Sequence, residues 1–260
     1  FDKVVSPTIA GYTADKSEIP AVSGVQAKDQ DRVETVTYHK DAQKAVIRYV
    51  STNGNRVLTT DEVTGKSGEA IAYSTTSQIT EFKKQGYKLV SDEFTAGGAK
   101  VYDYDTARDQ VYTVTLSERV EPVNPDNPSP QPNTPVNPGQ PDSPRWPGTV
   151  ENLDNKESVS RTIHYVYEDG SKAKDDVVET LNFKRWSNVN LVTGHIDFQD
   201  WTTNDDTFDK VVSPTIAGYT ADKSEIPAVS GVKAKDQDRV ETVTYRKDAQ
   251  KAVIRYVSTN

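Results

Sequence analysis

Residues 1–53 of this chain return almost unchanged as residues 208–260: at a constant offset of 207, only Gln26/Lys233 and His39/Arg246 differ. A period of that size is far longer than the ~20–50 residues of a solenoid repeat, so it marks a tandem array of whole modules. Each module is large enough to hold one or two cores. Because the chain spans slightly more than one period, residues 1–41 are expected to be an incomplete copy of a first domain, and 248–260 the start of a further second domain. Residues 1–41 should then be disordered, borrowed by a neighbouring chain, or packed against the hairpin at 161–185.

A module boundary is visible in "EPVNPDNPSPQPNTPVNPGQPDSPRWPG" at 121–148, which holds ten of the fourteen prolines and almost no aliphatic residues. Proline at every second to fourth position favours polyproline II, at ~3.1 Å per residue a semi-rigid spacer of roughly 80 Å. Residues 121–150 therefore read as a proline-rich linker between a domain at 42–120 and a complete first-type domain at 151–247.

These two domains follow one plan. "RTIHYVYEDGSKAKDDVVETLNFKR" (161–185) and "KAVIRYVSTNGNRVLTTDEVTG" (44–65) each alternate apolar and polar residues around Asp169-Gly170 or Asn53-Gly54, which signals a β-hairpin. A Gly-Tyr pair follows each (Gly218-Tyr219, Gly86-Tyr87), and later a closing alternating strand, "ETVTY" or "VYTVTL". Within "YSTTSQITEFKKQG" (73–86), Ser74 or Thr75 can cap a helix, Ile79 and Phe82 share one face, and Gly86 supplies a left-handed stop. A hairpin, a helix and a returning strand pair describe an α+β fold, a ubiquitin-like β-grasp with one helix across a mixed sheet. The fold expected is thus tandem β-grasp domains joined in an elongated rod. In the first domain the equivalent segment carries "HIDFQDW", which alternates like an added strand, and one short helical turn is expected near 205–211.

These passages resemble the long mucus-binding repeats of lactic acid bacterial surface adhesins. "RTIHYVYEDGSKAKDDVVETLNF", "DWTTNDDTFDKVVSPTIAGYTAD" and "ETVTY" resemble the first subdomain of those repeats. "KAVIRYVSTNGNRVLTTDEVTGKSGEAIAYSTTSQITEFKKQGYKLVSD" with "VYTVTL" resembles the second, so the likeness covers nearly everything outside the linker. It implies a non-enzymatic adhesin repeat, extracellular and wall-anchored through segments outside this sequence, binding mucin glycoproteins and in some repeats immunoglobulins. The alternative is a structural stalk that projects a distal binding domain.

The residues themselves narrow the chemistry. A net charge of −8, with no basic cluster free of interspersed carboxylates, disfavours nucleic acid. No apolar run approaches the ~20 residues of a membrane span, and without cysteine there are no disulfides and no thiolate chemistry. "TGKSGEA" (64–70) would need glycine at Thr60 to be a phosphate loop and reads instead as the turn ending a strand. His39, His164 and His195 lie apart, and His39 is Arg246 in the other copy. The pairs Asp175/Asp176 and Asp205/Asp206 point to opposite faces of an extended chain. Catalysis is not expected.

Two kinds of binding residue stand out. Asp197, Asp200, Asp205, Asp206 and Asp209 within "DFQDWTTNDDTFD" could offer oxygen ligands to calcium; Asp236/Asp238 and Asp29/Asp31 are poorer candidates. No other cofactor is indicated. For sugars, whose C–H faces stack on aromatic rings, the candidates are Trp186, Trp201, Tyr102 and Tyr104, with core packing as the competing role for both tryptophans. An immunoglobulin could instead add a strand to an open sheet edge at 174–184 or 57–65.

Overall fold

A computed structural model describes residues 1–258, so the last two residues of the expected next domain, 248–260, lie outside the described residues. The chain divides into two units, one of residues 1–121, 131–148 and 190–195, the other of 122–130, 149–189 and 196–258.

In the first unit, residues 1–41 form four short strands, β1 (Val4–Val5), β2 (Tyr12–Ala14), β3 (Glu18–Ile19) and β4 (Tyr38–Lys40), with β1 paired to β3 and β2 to β4, both antiparallel. The strands of this segment pair with one another, a departure from the disorder offered among its expected arrangements. Then come β5 (Ala42–Ser51), β6 (Val57–Lys66), α1 (Thr76–Lys84), β7 (Tyr87–Asp92) and β8 (Gln110–Glu118). Their sheet order is β6-β5-β8-β7, with the central pair parallel and the outer pairs antiparallel. Alternation along β5 turns Ala45, Ile47 and Tyr49 inward, where they meet Val114 and Leu116 of β8 and Ile79 and Phe82 of α1.

The helix stands where its face and glycine stop placed it, with one difference at the cap. Thr75 occupies the cap position, but its hydroxyl donates to Asp92 at 2.6 Å instead of bonding the helix. Ser74 Oγ accepts the Thr76 N–H. Gly86 has φ +95, and a Cβ there would lie 2.9 Å from the Leu191 backbone, so space and conformation both require glycine.

The extended spacer is corrected for 131–148, which doubles back. Asn133 N–H donates to Trp146 O, Trp146 N–H to Thr134 O and Val136 N–H to Pro144 O, each at 2.9 Å, around Gly139 at φ +88. Lys83 of α1 pairs with Asp142 in the turn.

A short β9 (Val120–Val123) leads out of the first unit. The second unit is built on β10 (Lys156–Tyr167), β11 (Lys172–Lys184), β12 (Ser187–Asn190), β13 (Ile196–Phe198), β14 (Val211–Val212), β15 (Tyr219–Ala221), β16 (Glu225–Ile226) and β17 (Arg239–Lys247). Its main sheet is ordered β11-β10-β17-β15, again with a parallel centre, so the two units share one topology. "HIDFQDW" does supply a strand, since β13 pairs antiparallel with β12. No helical turn forms near 205–211; Phe208, fully buried, instead bridges to Val229. One core gathers Val159, Leu181, Phe183 and Phe208, another Ile163, Tyr165, Ile226, Val243 and Tyr245.

Candidate binding surface

Arg185 leaves β11 where the Lys184–Thr202 bridge ends the strand's outer edge. Its guanidinium carbon lies 4.0 Å from the centre of the Phe198 ring and 4.3 Å from that of Trp201, so the planar cation is stacked against both rings. Its Nε donates to Asp154 O at 2.7 Å and its terminal nitrogen to Asp154 Oδ2 at 2.8 Å, a carboxylate that also receives Lys235 at 2.6 Å. The stack is therefore rigid, and Trp201 packs its remaining surface on the Phe208 core. Trp186, the next residue after Arg185, keeps 43% of its surface exposed.

Along the same stretch a groove of about 420 Å³ is lined by Lys156, Thr180, Asn182, Lys184, Thr203 and Asp205, among others. Its polar groups are partly committed: Thr203 Oγ1 donates to Asn182 O at 2.8 Å, and Lys184 pairs with Asp126 at 2.9 Å. The wall thus offers amide, hydroxyl and charged groups.

The other candidates fare differently. Tyr102 is 3% exposed and lies against Gly65, where a Cβ would fall 2.2 Å from its ring, so it is a core residue and presents no face to a sugar. Tyr104 is half exposed, yet its ring covers Gly11 and Gly68, between residues 1–41 and the turn that follows β6. Of the aspartates, Asp205 accepts the Thr207 N–H, Asp206 the Thr207 hydroxyl, and Asp209 offers only its backbone oxygen, to Arg161. Asp197 lies in β13 opposite Asn188, and Asp200 is exposed. Asp236 and Asp29 each close a local turn, on the Lys233 and Gln26 N–H, while Asp238 accepts the Ser160 N–H at 2.7 Å, which holds its carboxyl below the usual range. Among the described residues no group of three or more His, Cys, Asp or Glu is placed to hold a metal ion. Arg185 and the groove were not found from sequence; the "KRW" triplet facing "FQDW" across a strand junction was the available signal.

β11 and β6 are outermost strands of their sheets, as expected of 174–184 and 57–65. Among the described residues no helix is long and apolar enough to cross a membrane.

The mostly β units, with one α-helix in the first, have the fold of adhesin-type repeats, and the family matches agree. The Muc B2-like domain family matches residues 1–42 and 150–249, more than half of the chain, and the "Mucin binding domain" family matches 43–118. The chain belongs to the Muc B2-like family of mucus-binding repeats. Among solved structures it is similar to Mub-RV, at 26% identity and a TM-score of 0.63 over 80% of this chain and 100% of that one. It is also similar to the type 2 repeat of the mucus binding protein MUB from Lactobacillus reuteri, at 28% identity and a TM-score of 0.51 over 79% of this chain and 100% of that one. A search of curated proteins found no match.

Proposed function

We propose that this chain is a non-enzymatic repeat of an extracellular, wall-anchored adhesin that binds mucin glycans, weakly at each site and strongly through repetition. The observation that carries it is the likeness over nearly four fifths of the chain to a repeat of a mucus binding protein. The shared strand order, with a parallel central pair and in the first unit a helix over the sheet, supports reading both units as β-grasp domains. Trp186, the Arg185 stack and the Lys156–Thr203 groove are the features we assign to sugar contact. Linked modules raise the effective concentration of each next site, so weak contacts can hold a cell under flow.

Retention of the single chain and of a four-copy concatemer on immobilised mucin under flow tests this. The concatemer should be retained at least tenfold longer, and Trp186→Ala should shorten retention with the fold intact. Equal retention of one and four copies overturns the avidity mechanism; no retention of either makes the repeat a stalk.

A second reading rests on β11, whose outer side is bridged at Lys184 but lacks a ladder partner over 172–181 among the described residues. That open edge suits strand addition by an immunoglobulin sandwich. Proline substitutions along 174–181 should weaken antibody binding, and unchanged affinity in a folded variant removes the edge model.

A further inference from the structure

Two tyrosines from different strands of the second unit stand ring to ring. Tyr167 ends β10 and Tyr219 opens β15, and their ring centres are 4.7 Å apart at a tilt of 47°. That separation is close to that of two phenyl rings joined by a bond, and rings so joined commonly twist against each other. Little movement would bring a carbon of one ring to bonding range of the other.

The shared topology does not require this pair. Strand pairing sets Ser51 beside Leu116 as it sets Tyr167 beside Tyr245, and Tyr87 beside Glu118 as Tyr219 beside Lys247. The first unit thus carries serine where the second has Tyr167, and Arg56 donates to the Tyr87 hydroxyl at 3.1 Å. Other tyrosine neighbours are placed differently. Tyr165 and Tyr245 are both buried, with ring centres 6.4 Å apart, and the buried Tyr49 meets Tyr73 through the two hydroxyls at 2.8 Å. Tyr167 and Tyr219 are only half-buried, and a Cβ on Gly218, beside Tyr219, would find nothing within 4 Å, so a small oxidant has room to approach. The sequence has no cysteine and no methionine, the sulfurs that would otherwise take up an oxidant first.

We propose that Tyr167 and Tyr219 form an oxidative cross-linking site, at which hydrogen peroxide acting through a haem peroxidase joins the two rings as dityrosine. Each phenol gives up one electron and one proton, and the peroxide that receives them is reduced to water. The two tyrosyl radicals couple through a new carbon–carbon bond between ring positions next to the hydroxyls. The hydrogen displaced from each of those carbons returns to its phenolic oxygen, so the product is two hydrogens lighter than the parent chain. The bond ties β10 to β15 across β17, which lies between them, and closes residues 167–219 into a covalent loop. Such a loop restricts the unfolded chain as a disulfide would, in a chain with no cysteine to form one.

The test treats the full chain, at high dilution, with hydrogen peroxide and a haem peroxidase, then recovers the monomer and digests it with trypsin. The expected product is peptide 162–172 joined to peptide 211–223, two hydrogens lighter than their sum and showing dityrosine fluorescence. Residues 4–16 have the same sequence as 211–223, so variants assign the partner: Tyr12→Phe should keep the product and Tyr219→Phe should lose it. Tyr167→Phe should lose it too, although Tyr165 remains in the same peptide. Both Phe variants retain the packed rings, so untreated they should melt with the parent, and their failure to cross-link reports the missing phenol. The treated parent should melt at least about 5 °C higher than the untreated one. A folded monomer that forms no cross-link, cross-linking only between chains, or a product that survives Tyr167→Phe or Tyr219→Phe overturns the proposal.

Discussion

Arg161 and Glu179 stand opposite each other on β10 and β11, the guanidinium Nε donating to Glu179 Oε2 at 2.7 Å while Arg161 itself is 1% exposed. A guanidinium so enclosed is tolerable because every side of it is met, by the carboxylate, by the carbonyls of Pro227 and Asp209, and by the Phe208 ring. Arg161→Ala strands two carbonyls and opens the Phe208 core, and should destabilise the second unit by about 3–5 kcal/mol. Glu179→Gln leaves the carbonyl contacts in place and should cost about 1–3 kcal/mol. Denaturant unfolding reads both; an Arg161→Ala variant as stable as the parent contradicts this account.

Gly65 and Gly148 offer the same substitution in opposite surroundings. A Cβ on Gly65 would meet the buried Tyr102 ring at 2.2 Å, and the ring is walled in by its own core; around Gly148 nothing lies within 4 Å. Gly65→Ala should cost about 1–3 kcal/mol through overpacking, while Gly148→Ala should stay within about 0.5 kcal/mol of the parent. Melting temperatures decide it, and the idea fails if Gly65→Ala melts no lower than Gly148→Ala.

Asp169 at the β10–β11 turn accepts the hydroxyl of Ser171 at 2.5 Å and its N–H at 2.9 Å, and these hold its carboxyl below the ordinary value of 3.8. A folded value lower than the unfolded one stabilises the turn fully above 3.8 and ceases to do so as pH falls through the folded value. Amide protection around Tyr167 and Ser171 should therefore fall in acid below 3.8, and Asp169→Asn should abolish that dependence. A carboxyl titration midpoint at or above 3.8 would refute it.

Both hairpins and the helix were legible because their signals are local: alternation around Asn53-Gly54 and Asp169-Gly170, and Ile79 and Phe82 three residues apart ahead of Gly86. The fold of 131–148 was hidden because its prolines suggested extension, yet the donors that close it, Asn133, Val136 and Trp146, are non-proline residues set between them. Tyr102 was misplaced because its pocket is opened by Gly65, thirty-seven positions away. The Arg185 stack required Phe198 of β13 and Trp201 beyond it to converge on a cation that follows β11, which no spacing within either stretch encodes.

Ala42–Ser51 is the inner strand β5, with Ala45, Ile47 and Tyr49 wholly buried. The burial of β5 comes from β6 and β8, which both lie later in the chain. On a ribosome this passage emerges before those partners, and its parallel neighbour at 110–118 comes last. The strand thus passes through an interval in which Ala45, Ile47 and Tyr49 are bare, a hazard that lasts until 110–118 has been made.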